Sequence, residues 1–435
     1  MPDPVAERDG LTAALRQMER AAEAYVDSLD ESLVQPPGKA DLEDRMPEEG
    51  VGSLKALTEL SAAAMEAATR SSGPRFFHFV MGGGTPAALA ADWLASTLDQ
   101  NAYNWVSSPL AARIEQITVD WLKDLFGIPA AWSGVITSGA TMSNFVGLAS
   151  ARRWWGLEHG VDIDRAGFSG LPSIPVFASG YLHASAIKAL GMLGIGRETP
   201  RILAGDASGR FDLAALEREL RGLGGKPALI VATAGDVNTG DFDPLREITG
   251  LAAEHRAWVH VDGAFGLFAA VSPSTRHLVD GIEAAHSVAV DGHKWMNVPY
   301  DTGFAFVRDG AAHAGAFAAS AAYLGREALA RPVFGNLGPE MSRRARALPV
   351  WATLRAYGRD GHRSMVERHL ALAQRGAMVL EDGRVYFGTT EYAGKVAFRP
   401  AVVNWRTSEA DVDLIVAVVR ELGSKLLALP RAPGR

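Results

Sequence analysis

The sequence predicts an α/β protein with a mainly parallel sheet, preceded by a helical arm and followed by a small α+β domain. From about residue 75, continuous apolar segments of β type alternate with segments of helical spacing. Strands that are apolar throughout are typical of parallel sheets covered by helices on both faces. The predicted strands are 134–136, 173–178, 228–232, 257–261, 288–290 and 303–307, and the helices between them are 111–126, 185–194, 212–222 and 244–255.

Helical segments also flank the predicted sheet. Two segments before it, 11–30 and 53–70, have helical spacing and are separated by Pro36, Pro37 and Gly38, which predicts a two-helix arm with a role in dimerisation. After the sheet, we expect helices at 342–376 and 408–427 and short strands at 385–387 and 395–398. The predicted division is therefore an N-terminal arm at 1–75, a large domain at 76–315 and a small domain at 316–435.

Composition excludes several classes of protein. A chain of 435 residues can form two or more compact units, and its formal charge of −7 provides no basic surface for nucleic acid. The sequence contains no cysteine, which excludes disulfides and thiolate chemistry, and its eleven histidines lack the His-x-x-x-His spacing of a metal site. No apolar run reaches the roughly 18 residues of a membrane helix, and the N-terminus lacks an apolar signal core. We therefore expect a cytoplasmic protein that binds neither metal nor membrane.

A turn of small residues lies between a predicted strand and the helix that follows it. Ser138, Gly139 and Ala140 form this turn. Free N–H groups and the positive end of the helix dipole favour an anion at such a place, so the turn is a candidate phosphate site. An ordinary capped helix produces the same pattern.

Three polar residues follow predicted strands, in the order His183, Asp262 and Lys294. Open α/β sheets bind their ligands at the carboxyl ends of the strands. A lysine amine, a buried carboxylate and a flat imidazole are the groups needed to hold and use pyridoxal phosphate (PLP). The lysine forms a Schiff base, the acid keeps the pyridine nitrogen protonated and the ring stacks on the cofactor. Each residue alone has a structural explanation, but their joint occurrence in this order favours a PLP site.

Four motifs in register resemble the group II PLP-dependent amino acid decarboxylases, which include aromatic-L-amino-acid and glutamate decarboxylases. Thr137–Thr141 resembles the phosphate turn of the family, and three further motifs of the family match 183–189, 260–264 and 291–295. The resemblance implies the PLP-dependent transferase fold type I (aspartate aminotransferase-like), with a seven-stranded sheet in a large PLP-binding domain. It also implies a homodimer.

The resemblance assigns roles to individual residues. Lys294 is the Schiff-base lysine, Asp262 is the partner of the pyridine nitrogen and His183 is the stacking residue, and these three are the catalytic candidates. The further cofactor-binding candidates are Ser138, Gly139, Ala140, Ala264, Ser287, Asp291 and His293, and the substrate-pocket candidates are His78, Phe79, Tyr103 and Phe334.

The chain departs from the family pattern at three places. Asp236 stands where the family usually has threonine, and a carboxylate there is expected to be repelled by phosphate, to take up a proton or to point to solvent. Phe334 falls where many eukaryotic and plant members have a proton-donating tyrosine, and members with phenylalanine there produce aldehydes with O₂. Between 377–380 and 403–405 the small domain lacks several strands and a helix of the family, so we expect a shortened domain.

The leading functional hypothesis is a PLP-dependent L-amino-acid decarboxylase, a carboxy-lyase, acting on an aromatic or other apolar amino acid. The alternatives are an oxygen-consuming aldehyde synthase or another repurposed PLP enzyme, and an inactive relative that acts as a binding protein. Amine, aldehyde or the absence of turnover distinguishes the three.

Overall fold

A seven-stranded sheet lies at the centre of the computed structural model, which describes residues 4–36, 38–205, 208–318, 331, 333–381, 390–392, 395–397 and 400–427. Its strands are β1 (Ser133–Thr137), β2 (Val176–Ala178), β3 (Pro200–Ile202), β4 (Ala228–Thr233), β5 (Ala257–Asp262), β6 (Ser287–Asp291) and β7 (Gly303–Val307). Their order across the sheet is β1-β7-β6-β5-β4-β2-β3. Only β7 runs antiparallel to its neighbours, so the predicted mainly parallel α/β sheet is confirmed.

Helices connect and flank these strands. The described helices are α1 (Leu11–Ser28), α2 (Ser53–Ala67), α3 (Pro86–Leu98), α4 (Pro109–Phe126), α5 (Ala140–Glu158), α6 (Ile163–Ala166), α7 (Ala184–Met192), α8 (Leu213–Gly222), α9 (Leu245–Glu254), α10 (Gly310–Phe317), α11 (Ala347–Glu381) and α12 (Glu409–Leu427). None of them is long and apolar enough to cross a membrane.

Both faces of the sheet are buried, which explains why its strands are apolar without alternation. Successive side chains of a strand point to opposite faces. Ile230 accordingly packs in one apolar cluster with Val259, whereas Leu229 and Val231 pack in a second cluster with Trp258. Helix α5 lies on the second side, between α7 and α10, and closes that core.

The edges of the sheet differ from the prediction. β2 begins at Val176 rather than at residue 173, since Pro175 has no N–H to donate to a neighbouring strand. β3 was not predicted, because it is a three-residue edge strand in which Ile202 remains 51% exposed. A half-exposed segment of this length lacks the apolar pattern that marks the central strands.

The flanking helices lie close to the positions predicted for them. Helices α1 and α2 pack against each other before the sheet, and α11 packs against α3 and α4. Helix α11 is broken at Gly358, where φ is 57° and ψ is −170°. In the small domain, β8 (Thr390–Tyr392) pairs with β9 (Lys395–Ala397), while the strand predicted at 385–387 lies outside the described residues. The domain division at residues 75 and 315 stays a prediction.

Candidate active site

The carboxyl edge of the sheet brings most of the predicted cofactor residues together. Asp262 ends β5, Asp291 ends β6 and Thr137 ends β1, which leads directly into the small-residue turn. Strand β7 lies between β1 and β6, and its Gly303 pairs with Thr137 of β1 on one side and with Asp291 of β6 on the other. His183 lies before the first residue of α7, after β2. Parallel strand topology therefore produces the site, since these residues all follow strands that end at the same edge.

The turn that precedes α5 is shaped to accept an anion. Gly139 has a φ of 145°, and a Cβ atom at this position would lie 3.0 Å from Cε1 of His293. Only glycine allows both the backbone conformation and this close approach. The N–H of Ala140 donates to Oδ1 of Asp291 at 2.5 Å. An N–H at the start of a helix of this length suits a phosphate.

Lys294 and His293 are both held by Asp291. The Nζ atom of Lys294 lies 3.0 Å from Oδ2 of Asp291, and Nε2 of His293 lies 3.3 Å from Oδ1. Burial lowers the pKa of His293 below its usual value, so the ring is neutral near pH 7. The carboxylate thus orients the lysine amine at the wall of the site.

Asp262 is a buried carboxylate held by neutral donors. It is 4% exposed, and its two oxygens accept hydrogen bonds from the N–H of Ala264 at 3.1 Å and from Nδ2 of Asn144 at 2.9 Å. Among the described residues, no lysine or arginine forms an ion pair with it. A buried charge without such a partner is costly. The protonated nitrogen of a pyridine ring would supply the missing cation.

His183 presents its ring at the opening of the site. Its Nδ1 atom accepts from the backbone N–H of Ser185 at 3.2 Å and lies 2.8 Å from the Ser185 hydroxyl, which makes His183 the N-cap of α7. The ring itself is exposed and reaches the cavity. A capping role and a stacking role are therefore compatible at this position.

A cavity of about 360 Å³ joins Lys294, Asp262 and His183. One wall is aromatic: Phe265 stacks on Trp295 with ring centroids 4.4 Å apart, and Trp295 donates from Nε1 to Nδ1 of His369 at 2.9 Å. Burial lowers the pKa of His369 to about 4, so it is neutral near pH 7. The remaining lining residues include Val80, Tyr181, Thr233, Asp236, Asn238, Thr239, Ala264, Leu370, Pro400, Ala401 and Val402.

These features fit PLP. Asp262 and Lys294 line the same cavity, and Asp291 contacts both the Lys294 amine and the first N–H of the α5 turn, where a phosphate could be held. Two observations support the fit: the close approach that Gly139 allows in the turn, and a buried carboxylate that has no ion-pair partner among the described residues.

Ser287 does not lie with the other predicted cofactor residues. It begins β6, at the amino end of the strand, whereas Asp291 ends that strand at the site. Its hydroxyl is fully buried and contacts Trp258 and His260. The prediction for Ser287 is therefore corrected: a five-residue strand separates it from the edge where the cofactor would bind.

Tyr103 and Phe334 also lie away from the cavity of their own chain. Phe334 is 3% exposed and packs against Ala112, Val135 and the neighbouring core. The N–H of Gly335 donates to the carbonyl of Tyr103 at 3.0 Å, which pins the two segments together. Neither is among the described residues that line the Lys294 cavity, so their predicted role in the pocket is not realised within one chain.

His78 and Phe79 lie at the surface and directly precede Val80, which lines the cavity. Their rings contact each other with centroids 3.8 Å apart, and Phe79 is 67% exposed. Phe79 and Val80 both have left-handed backbone conformations, with φ of 54° and 60°. This turn directs Val80, rather than His78 or Phe79, into the cavity lining.

Asp236 points into its own loop and not to solvent. It is 5% exposed, and its Oδ2 accepts from the N–H groups of Asn238 at 2.9 Å and Thr239 at 2.8 Å. The Thr239 hydroxyl also donates to this oxygen at 3.0 Å. An aspartate that bonds to the backbone two and three residues ahead stabilises a turn. The expectation of a solvent-facing carboxylate is corrected accordingly.

Asn144 is the site residue that sequence reasoning missed. It lies on α5, fully buried, and is 118 positions away from Asp262 in sequence. The only pattern that could have indicated it is a polar side chain on the buried side of a helix, where an asparagine needs partners. Its partners come from other elements, so the sequence could not name them.

The family model described as the pyridoxal-dependent decarboxylase conserved domain matches residues 37–401. This chain belongs to that family. Membership confirms the predicted family and its cofactor, PLP.

Individual relatives agree with this assignment. The chain is 36% identical over 327 residues to L-2,4-diaminobutyrate decarboxylase of Rhizobium meliloti (strain 1021), covering 73% of this chain but 63% of the relative. It is 30% identical over 339 residues to aromatic-L-amino-acid decarboxylase of Bacillus atrophaeus, covering 77% and 68%. The fold resembles that of Oryza sativa TDC, solved with PLP and tryptamine, with a TM-score of 0.86, 22% identity and coverage of 96% and 98%.

Proposed function

We propose that this protein is a PLP-dependent L-amino-acid decarboxylase with Lys294 as the residue that binds the cofactor covalently. The observation that carries the proposal is that Lys294 and Asp262 line one cavity, while Asp291 joins the Lys294 amine to the first N–H of α5. When bound, PLP supplies an electron-withdrawing ring that stabilises the negative charge left on Cα as CO₂ departs.

The residues around the cavity would bind and orient the cofactor. Asp262 would hold a proton on the ring nitrogen, because a buried carboxylate favours a cationic partner. The turn Ser138–Ala140 and His293 would hold the phosphate at the start of α5, and Asp291 keeps the Lys294 amine at the wall. Ala264 lies beside Asp262 in the lining, and His183 covers the opening.

The lining of the cavity supports an aromatic or other apolar substrate side chain. Val80, Phe265 and Leu370 contribute apolar surface, and the Phe265–Trp295 stack is rigid because Trp295 is anchored to His369. Against these apolar side chains, a charged substrate side chain would lose its hydration. We therefore propose aromatic or other apolar L-amino acids as the substrate class.

The decisive experiment is reduction of the PLP-loaded protein with borohydride, followed by peptide mass spectrometry. We expect the reduced cofactor on Lys294 and none after Lys294→Ala, whereas Lys226→Ala, an exposed lysine before β4, serves as the matched control. Labelling of another lysine in the wild type would contradict the proposal.

A panel of L-amino acids then tests the reaction itself. Release of CO₂ together with the amine supports decarboxylation, whereas aldehyde with ammonia and peroxide identifies the oxidative alternative. If no amino acid reacts although the cofactor is bound to Lys294, the decarboxylase proposal is rejected.

We also propose that the protein is a homodimer located in the cytoplasm. An apolar groove of about 830 Å³ lies between the arm helices and the body, and it is lined by Tyr25, Leu60, Leu89, Trp93 and Tyr300 among others. Trp93 and Tyr300 are 44% and 55% exposed, and apolar surface of this kind marks an interaction site. Analytical ultracentrifugation should show a dimer that Trp93→Glu weakens, and a monomeric wild-type protein would contradict the proposed dimer.

The absence of cysteine supports the proposed location in the cytoplasm.

A further inference from the structure

A chain of buried hydrogen bonds runs from Trp258 to Asp262. Nε1 of Trp258 donates to the Ser287 hydroxyl at 2.9 Å, and that hydroxyl lies 2.8 Å from Nδ1 of His260. Nε2 of His260 lies 2.8 Å from Oδ1 of Asn144, whose Nδ2 donates to Asp262 at 2.9 Å. Ser287, His260 and Asn144 are fully buried, so water does not compete for these bonds.

The two ends determine the direction of every bond in this chain. The indole N–H of Trp258 can only donate, and an ionised Asp262 can only accept. Asn144 must therefore turn its nitrogen to Asp262 and its oxygen to His260. His260 in turn carries its hydrogen on Nε2, and its Nδ1 accepts from the Ser287 hydroxyl.

The state of His260 agrees with this direction. Burial lowers the pKa of His260 to about 4, so near pH 7 the ring is neutral and has one N–H to give. Helix α5 leaves room for the ring at Gly147, where a Cβ atom would lie 2.5 Å from Nδ1 of His260. The helix that supplies Asn144 thus also accommodates the imidazole that orients it.

A branch of the same network reaches His183. Nδ2 of Asn144 also donates to the Ser185 hydroxyl at 3.1 Å, and this hydroxyl lies 2.8 Å from Nδ1 of His183. The backbone N–H of Ser185 donates to the same Nδ1 at 3.2 Å. Because an N–H and a hydroxyl both point at Nδ1, that atom accepts, and neutral His183 carries its hydrogen on Nε2.

We propose that Asn144 is a positioning residue, oriented by His260, Ser287 and Trp258, which holds Asp262 as an accepting carboxylate and supports the Nε2–H form of His183. The proposal rests on the proposed function, since Asp262 and His183 matter here as partners of the cofactor. It connects two cofactor-facing residues on different elements, β5 and the start of α7, through one amide.

The test compares two substitutions of Asn144 by equilibrium dialysis of the apoenzyme against PLP. Asn144→Leu removes the donor, so we expect the dissociation constant to rise roughly tenfold or more at every pH. Asn144→Asp places a second carboxylate against Asp262, and one of the two must then keep a proton. When the introduced carboxyl group is protonated, it donates as the amide does, so affinity is retained at about pH 5.5 and lost towards about pH 8.5.

The titratable groups that face position 144 are few. His260 and Asp262 lie on β5, and His183 lies beyond Ser185 at the start of α7, whereas Asp291 of β6 meets α5 at Ala140, one turn earlier. Phosphate and lysine titration affect the wild type equally. The quantity to compare is therefore the ratio of mutant to wild-type dissociation constants at each pH.

Ser150→Ala is the matched control, because Ser150 is fully buried on α5 and, among the described residues, its hydroxyl bonds within the helix to the carbonyl of Val146 at 3.0 Å. We expect its ratio to stay near one. The proposal is overturned if Asn144→Leu binds PLP like the wild type, or if the Asn144→Asp ratio is independent of pH. Should the Asn144 variants not fold, His260→Leu replaces them: it frees the amide to flip and should weaken PLP binding, whereas unchanged binding contradicts the network.

Nitrogen NMR of ¹⁵N-histidine-labelled apoenzyme tests the branch to His183 without cofactor, with His183→Gln assigning the resonance. We expect the Nε2–H form, and a dominant Nδ1–H form would overturn the direction of the branch. Failure of the proposed function looks different, since the wild type itself would then not attach PLP to Lys294.

Discussion

A buried ion pair between Arg343 and Glu115 provides a quantitative test of the structure. The two side chains are 3% and 2% exposed and form a bidentate pair with N–O distances of 2.6 and 3.0 Å. Arg343 also donates to the carbonyls of Ala102 at 2.8 Å and Ile136 at 2.7 Å, and Glu115 accepts from the N–H of Ile136 at 3.0 Å. The pair thus ties α4, β1 and the segment before α11 together.

Arg343→Met leaves the Glu115 carboxylate buried with one backbone donor. Removal of one partner of a buried pair costs about 3–5 kcal/mol. The double variant Arg343→Met with Glu115→Leu removes the stranded charge, so it should cost less than the sum of the single variants by roughly 1–3 kcal/mol. The exposed pair Arg359–Asp124, with side chains 50% and 80% exposed, is the matched control, and Arg359→Met should cost less than about 1 kcal/mol.

Urea denaturation of the apoenzyme, followed by tryptophan fluorescence, measures these differences as shifts in midpoint with a common slope. Two results would refute the reasoning. The first is that Arg343→Met lowers the free energy of unfolding no more than Arg359→Met does. The second is that the double variant lowers it by the sum of the two single losses.

Three further predictions concern the site and its support. Asp262→Asn should weaken PLP binding in dialysis about tenfold or more, since an amide cannot hold the ring proton; undiminished affinity would contradict the role of Asp262. Gly139→Ala should likewise weaken PLP binding and lower the melting temperature, because φ is 145° and the new Cβ would press on His293; a variant with wild-type behaviour in both assays would show that the cradle tolerates a side chain. Burial raises the pKa of Asp243 to about 6, so the folded state binds the extra proton, and this group's stabilising contribution is present below about pH 4 and lost as the pH rises through about 6. The stability of Asp243→Asn relative to the wild type should therefore rise between about pH 4 and about pH 6. A difference in urea midpoints that stays constant over this range would refute the role of Asp243.

Much of the site was predictable because it depends on chain order and strand ends. Lys294, Asp262 and His183 each follow an apolar strand, and parallel topology brings such positions to one edge whatever the details of packing. The small-residue turn at Ser138–Ala140 was visible for the same reason, since a strand, a glycine and a helix follow one another directly. The central strands were equally clear, because burial on both faces requires continuous apolar sequence.

The residues that prediction misplaced depend on contacts between distant segments. Ser287 belongs to the right strand but lies at its other end, and motif spacing does not show which end of a strand faces the site. Phe334 and Tyr103 were placed by matching along the sequence, whereas the fold packs Phe334 against the core around Ala112 and joins the N–H of Gly335 to the carbonyl of Tyr103. Matching to the family without gaps misplaces residues wherever a loop differs in length from the corresponding loop of the family.

Apolar runs and local motifs were sufficient to predict the α/β sheet, the family and the edge at which a cofactor would bind. The hydrogen-bond partners of the buried carboxylates became visible only in the folded chain. Asp236 turns into its own loop, and Asp262 is held by Asn144, which His260 orients. These partners are far apart in sequence, and hydrogen bonds depend on distances of a few tenths of an ångström that emerge only when helices and strands pack.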